Sequence, residues 1–252
     1  GPRACPGPPC VVGRHMEYHE LSLEKVRMQS VRGRHNLVRI DNLLRPGMPF
    51  EAWDEEGFDQ LAQRVVSARQ NGRPVIFSIG AHVVKSGLGP YLIALMKAGI
   101  ITHIAGNGAC SIHDFELAFL GGTSEDVPTA IEDGSFGMWE ETGRWMNEAI
   151  NRGAGRGMGY GQALAVYMEE NRERFPYLDD CYVYQAHALG VPATFHIALG
   201  TDIIHQHPAC DFGAIGRASQ RDFLRLCRAV SQLDGGVFLN FGSSVIGPEE
   251  FL

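Results

Sequence analysis

The chain has 252 residues, 44% of them hydrophobic and 20% charged, with a formal net charge of −7. That length and balance suit one globular domain with a full core, and an acidic chain without a Lys/Arg run carries no nucleic-acid footprint. No apolar stretch approaches the roughly 20 residues that span a bilayer, and six cysteines without a Cys-x-x-Cys motif fit a reduced, cytoplasmic setting.

Residues 1–15 are rich in Pro, Gly and Arg and are expected to form a disordered tail, with the natural start at Met16 and no Cys5–Cys10 disulfide. Residues 16–252 then read as a single α/β domain. Glu55 to Gln70 has helical spacing, with Phe58, Leu61, Val65 and Val66 on one face, and Asn71-Gly72 stops it. Pro74 to Ile79 is a short apolar strand, Leu88 to Ala98 a helix ended by Gly99, and Ile100 to Ala105 the next strand. A turn, Gly106-Asn107-Gly108-Ala109, leads into a helix with Ser111 as N-cap. Thr123 to Phe136 reads as loop. Met138 to Asn151 and Tyr160 to Arg174 read as helices joined by a Gly-rich link, and Tyr182 to Leu189 as another helix. Pro192 to Leu199 is a strand, Ser219 to Leu233 a helix and Gly236 to Asn240 a strand. Alternating strands and helices predict a doubly wound, mainly parallel sheet with helices on both faces, a Rossmann-like α/β fold. Gly247 to Leu252 resembles a helix start that does not develop, so the domain is expected to be truncated at its C-terminus.

Small polar residues follow each of these strands: Ser78 to Gly87, Gly106 to Glu116, Gly200 to His207, and Phe241 to Ser244. In open parallel sheets ligands bind outside the carboxyl ends of the strands, and helix starts there favour anions. The same loops carry acid–base groups. His113 and Asp114 open one helix, and His205 and His207 follow Asp202. His113 and His205 are candidates for general acid–base catalysis, because imidazole titrates near working pH. His-x-His with a carboxylate can also hold a divalent cation, but no third local ligand accompanies it, so no metal is assigned. His187 and His196 read as structural. No Gly-x-Gly-x-x-Gly is present.

The order of Ser86-Gly87-Leu88, Ile104 to Ala109, His113-Asp114 and Phe119-Leu120-Gly121 resembles the deoxyhypusine synthase family. So does that of Val191-Pro192-Ala193-Thr194 before Thr201-Asp202, and of Gly236 to Gly242. The resemblance covers roughly residues 74–252. It implies an NAD-binding transferase acting on a small-molecule amine or polyamine, assembled as a homotetramer. The implied NAD-facing positions are Ser78, Gly80, Ser86, Gly87, Asn107, Gly108, Ala109, Asp202, Gly242 and Ser243. His113 and His205 stand near family carboxylates that hold ammonium groups, and Pro248 and Glu249 near a family histidine. No lysine follows Lys97, and Lys85 replaces the family's imine lysine only if it turns into the site. Aminobutyl transfer by this chain is therefore not expected. The catalytic candidates are His113, Asp114, His205 and His207. Two other readings stay open: a metal-assisted hydrolase or lyase using His113, His205, His207 and Asp202, and a catalytically silent NAD-binding module.

Overall fold

The computed structural model describes residues 19–51, 55 and 57–243. The tail, Met16, Cys5, Cys10 and the Gly247 to Leu252 segment with Pro248 and Glu249 lie outside these residues, as does Ser244. In chain order the elements are β1 (Asn36–Arg39), α1 (Phe58–Gln70), β2 (Val75–Ile79), α2 (Ala81–Lys85), α3 (Gly89–Lys97) and β3 (His103–Asn107). They continue with α4 (Gly108–Leu120), β4 (Gly122–Glu125), α5 (Val127–Asp133), α6 (Glu140–Gly155), α7 (Tyr160–Glu170) and α8 (Tyr182–Ala188). Then follow β5 (Ala193–His196), a 3-10 turn (Ile203–Gln206), α9 (Phe212–Val230) and β6 (Val237–Phe241).

β2 reads Val-Ile-Phe-Ser-Ile and is buried along its whole length, the pattern of a strand covered on both faces. It lies inside a four-stranded sheet of order β5-β3-β2-β6, in which every pairing is parallel. The chain therefore starts near the middle, winds outward through β3 and β5, and returns to the other side of β2 as β6. That reversal makes a topological switch point between β2 and β6, where open α/β sheets place their ligands. Leu226 of α9 packs on one face against Ile76, Ala105 and Phe238. Phe77, Ile79 and Ile104 face the main core with Ala68 of α1 and Met96 of α3. The doubly wound α/β expectation holds. Among the described residues no helix is long and apolar enough to cross a membrane.

Several boundaries differ from the sequence expectation, each for a local reason. α4 starts at Gly108 because Asn107 Oδ1 accepts from Cys110 N at 3.2 Å. Ser111, expected as the cap, instead donates its hydroxyl to Gly108 O at 2.7 Å, inside the helix. α9 starts at Phe212, not Ser219, because Asp211 Oδ1 accepts from the N–H of Gly213 and Ala214. The stretch from Thr123 to Phe136, expected as loop, holds β4 and α5. β4 forms because it pairs antiparallel with β1, which the sequence pattern did not mark.

Glycines at the sheet's carboxyl edge are fixed by packing. A Cβ on Gly80 would lie 1.8 Å from Gly242 O, and Gly80 N already donates to Phe241 O at 2.7 Å. Gly80→Ala should therefore push β2 and β6 apart and cost ~1–3 kcal/mol, the usual range for overpacking. Urea unfolding of the variant checks this; an unchanged midpoint would show that the two turns do not meet.

Candidate active site

The ribbon of β1 and β4 delivers a polar cluster to the first turns of α4. On α4, His113 and Glu116 are three residues apart and so share a face. Thr123 comes from β4 and Arg34 from just before β1. Arg34 grips Glu116 with two bonds, NH1 to Oε1 at 3.0 Å and NH2 to Oε2 at 2.7 Å. Both side chains are buried, at 4% and 1% exposure. Thr142 of α6 donates to Glu116 Oε1 at 2.8 Å, and Thr123 donates to Oε2 at 2.6 Å. The carboxylate thus has four donors, close to its full capacity.

This network fixes the proton on His113. A carboxylate only accepts, so Thr123 commits its single hydroxyl proton to Glu116. The 2.7 Å contact between His113 Nδ1 and Thr123 Oγ1 must then run from Nδ1–H to the oxygen. His113 is left with a lone pair on Nε2, which has no hydrogen-bond partner among the described residues. Burial pushes its pKa down to about 4, opposed in part by Glu116. The ring is neutral at ordinary pH.

His113 opens on a cleft of about 210 Å³, whose other walls include Lys85, Ala109, Ser124, Glu125 and Asp202. Lys85 makes no hydrogen bond or ion pair among the described residues. Ser124 has φ of 66°, the only positive value at a non-glycine among the described residues. Such strain costs of order 1–3 kcal/mol and gathers at functional sites. Glu125 accepts from Gly137 N and from Trp139 Nε1 at 3.0 Å, and burial raises its pKa.

Asp202 stands between this cleft and a second one of about 450 Å³, lined by His205, Gln206 and Phe212. Its Oδ2 is buried without a partner, as is His205 Nε2, and the two atoms lie 3.9 Å apart. His205 Nδ1 accepts from the N–H of Gly200 and of Asp202, each at 3.1 Å. The His205 proton therefore sits on Nε2. Burial lifts Asp202 to a pKa of about 6 and lowers that of His205. A fixed donor and an unpartnered acceptor, too far apart to bond each other, suit a ligand hydroxyl or amine between them.

The other expected site residues divide. Asn107, Gly108, Ala109, Gly80, Gly242 and Ser243 gather with Asp202 at the carboxyl edge of the sheet. Gly108, however, is filled by this chain: a Cβ there would lie 1.8 Å from Asp202 Oδ2. Ser78 is buried inside β2. Ser86 and Gly87 follow α2, and Gly87 packs on the backbone of Asn42 and Leu43. Asp114 points away from the cleft into the core. It accepts from Cys181 Sγ at 2.8 Å and from the N–H of Tyr182 and Val183 at 3.1 and 3.0 Å, which caps the start of α8. His207 is equally internal: Nδ1 accepts from Ala209 N at 3.0 Å, and Nε2 contacts Glu140 Oε2 at 3.2 Å. Among the described residues no group of three or more His, Cys, Asp or Glu side chains is arranged to hold a metal, so the metal-assisted reading finds no ligand set. Arg34, Thr123 and Glu125 were not singled out from sequence. Glu116 stood in the same turn but Asp114 was the expected candidate; the i, i+3 spacing of Glu116 from His113 is the signal that would have found it.

No family model matches the chain, and no curated protein does. Solved structures do. The apo form of ArgZ, an arginine dihydrolase from the ornithine–ammonia cycle in cyanobacteria, matches with a TM-score of 0.50 and 16% identity over 79% of this chain. A ternary complex of AgrE with ornithine and NAD+ matches with a TM-score of 0.46 and 16% identity over 75% of it. A conserved protein described as LOR/SDH from Methanococcus maripaludis gives 0.47 and 14% over 82%. The chain spans 26% of the ArgZ structure, 25% of the AgrE structure and 60% of the Methanococcus protein. The ArgZ likeness bears on the fold.

The ArgZ match corrects the resemblance to deoxyhypusine synthase: the structure whose fold this chain shares is an arginine dihydrolase. Polyamine transfer and the tetramer rested on that resemblance and lose its support. The motif order misled for a physical reason. Its glycines are demanded by packing, as at Gly108 against Asp202 and at Gly236, whose Cβ would lie 2.4 Å from Pro74 O. Such glycines answer to contacts within this chain, so their order does not by itself mark a family.

Removing the charge of Glu116 would leave Arg34 buried and unpaired. Glu116→Gln should lower stability by ~3–5 kcal/mol, measured by urea unfolding. A loss below about 1 kcal/mol, the worth of an exposed pair, would contradict the buried network.

Proposed function

We propose that this chain is the nucleotide-binding α/β unit of an NAD-dependent enzyme acting on a small amino substrate, with His113 as the base. One observation carries the reading. An imidazole with a defined free Nε2, an ammonium group with no partner among the described residues and a carboxylate with one buried oxygen unpartnered among them line one cleft at the carboxyl edge of a doubly wound sheet. The strand order supports the cofactor, since its switch point is where such sheets hold dinucleotides. So do the two clefts meeting at Asp202, which give room for a cofactor and a substrate.

The donor set fits NAD in part. Asp202 Oδ2 and His205 Nε2 offer an acceptor and a donor to a ligand hydroxyl, and Ala109 lines the same cleft, whereas Asn107, Gly242 and Ser243 line neither cleft. Gly108 is not free, because Asp202 occupies its surface. When bound, NAD supplies the hydride acceptor. Lys85 pairs with a substrate carboxylate, and Asp202, which lines both clefts, holds the substrate's ammonium group with the oxygen that the cofactor leaves free. His113 Nε2 takes the proton released from the reacting nitrogen or oxygen. Its Nδ1–H stays on Thr123, whose own proton is held by Glu116, so the pair keeps the ring in this tautomer and stabilises the imidazolium, as an orienting carboxylate does for other catalytic imidazoles.

His113→Asn preserves a donor towards Thr123 and removes the Nε2 base. It should lower kcat by ~10²–10⁴ with little change in melting temperature or in NAD affinity by calorimetry. The pH profile separates the two acids. Asp202, with its pKa raised to about 6, loses its charge as pH falls through that value, so KM should rise there. His113, depressed to about 4, stays a base until pH falls to that value, so kcat should persist well below pH 6. Loss of kcat near the ordinary histidine value of ~6.5 would remove His113 from this role, and absence of NAD binding would remove the cofactor.

A further inference from the structure

The amino-terminal edge of the sheet, opposite the proposed active site, carries a groove that this reaction does not use. One compartment, of about 320 Å³, is lined by Arg69 of α1, Pro74 before β2, His103 of β3, and Arg225, Arg228 and Ala229 of α9. A second, of about 360 Å³, shares Pro192 and Arg225 with the first and runs on past Gly190 to His187. No aspartate or glutamate lines either compartment.

The charges in the groove are poorly cancelled. Arg225, Arg228 and Ala229 lie at i, i+3 and i+4 on α9, so they form one stripe facing the sheet edge. Arg228 makes no side-chain hydrogen bond or ion pair among the described residues. Arg69 donates to Gly99 O at 2.7 Å and to Arg73 O at 2.6 Å, neutral acceptors that fix the guanidinium and leave its charge intact. Arg225 alone meets a carboxylate, Asp222 Oδ1 at 3.3 Å, and its other arm donates to Gln162 Oε1 at 2.6 Å. Asp222 is shared: its Oδ2 also accepts from Phe195 N at 3.0 Å and Gly161 N at 3.1 Å. A chain of net charge −7 has thus turned three guanidinium groups, two of them held in place, onto one concave surface with a single carboxylate behind it.

We propose that this groove binds a small molecule carrying a phosphate or diphosphate group. Planar guanidinium forks match phosphate oxygens in pairs, and a cleft between low-dielectric walls concentrates positive potential. Pro74, Pro192 and Ala229 supply apolar wall for the organic part. The volume is at the lower end of that of small-molecule sites, which fits a compact metabolite. The outward charge elsewhere on the chain is acidic on balance, which disfavours a polyanionic strand running beyond the groove.

Calorimetric titration of the full chain with sodium pyrophosphate tests this. Saturable binding is expected, weakened at least about tenfold by Arg228→Glu, whose melting temperature should match the parent because Arg228 is exposed and unbonded. Arg69→Gln should weaken binding in the same direction. Pyrophosphate should also bind equally well to Lys85→Ala, since Lys85 lines the cleft at the opposite edge of the sheet. No saturable binding at millimolar pyrophosphate, equal binding by Arg228→Glu, or loss of binding in Lys85→Ala would each overturn the proposal. Failure of NAD to bind bears only on the active-site reading.

Discussion

The buried pair between Arg34 and Glu116, closed at 2.7 Å, is the interaction on which the arrangement of the site depends. It joins the β1–β4 ribbon to α4, and the sheet's own pairings do not make that connection. Buried ion pairs seldom add net stability over an apolar substitute, because desolvation offsets the attraction. Their better use is to select one geometry. Here the selected geometry places Thr123 between a saturated carboxylate and an imidazole, and a single hydroxyl proton then decides which nitrogen of His113 is free. Trp139 reinforces the pair: the Arg34 guanidinium lies 5.2 Å from its ring centroid, and Glu125 holds the indole N–H.

Below that network the core explains why α4 can carry so much polarity. Phe115 and Phe119, on the helix's inner face, meet Phe175 and Trp145 edge-on at 5.1 and 5.0 Å between centroids, contacts worth about 0.5–1.5 kcal/mol each beyond their burial. Asp114 on the same helix caps α8 from inside the core. It is held with a pKa raised to about 7 by burial, against the pull of the Cys181 thiol and two N–H donors. One short helix thus anchors the fold on one side and displays its reactive groups on the other.

Much of this was legible in the sequence. The alternation of apolar strands with helical spacing gave the doubly wound sheet, and small polar loops marked its carboxyl edge. What stayed hidden depended on contacts distant in sequence. β1 is recognisable only by its pairing with β4, so Arg34, some eighty residues from Glu116, carried no local signal. Asp114 and His113 are neighbours in sequence but lie about 100° apart around a helix, and the placement of Ser111 as cap hid which of them faces the cleft. His207 looked available beside His205, yet its ring fills the space over Gly143, where a Cβ would lie 2.6 Å from it. Motif order was the weakest guide, because its glycines at 108 and 236 answer to close contacts within this chain.

The central claim is that Thr123 and Glu116 hold His113 neutral with its proton on Nδ1. Nitrogen-15 NMR of the imidazoles in the full chain, recorded from pH 8 to pH 4, reads both properties directly. The account predicts for His113 a protonated Nδ1 and a bare Nε2, with no change in charge until the pH nears the depressed value of about 4. A ring protonated on Nε2 in its neutral form, or one that gains its second proton near ~6.5, the value of an unperturbed histidine, would contradict it.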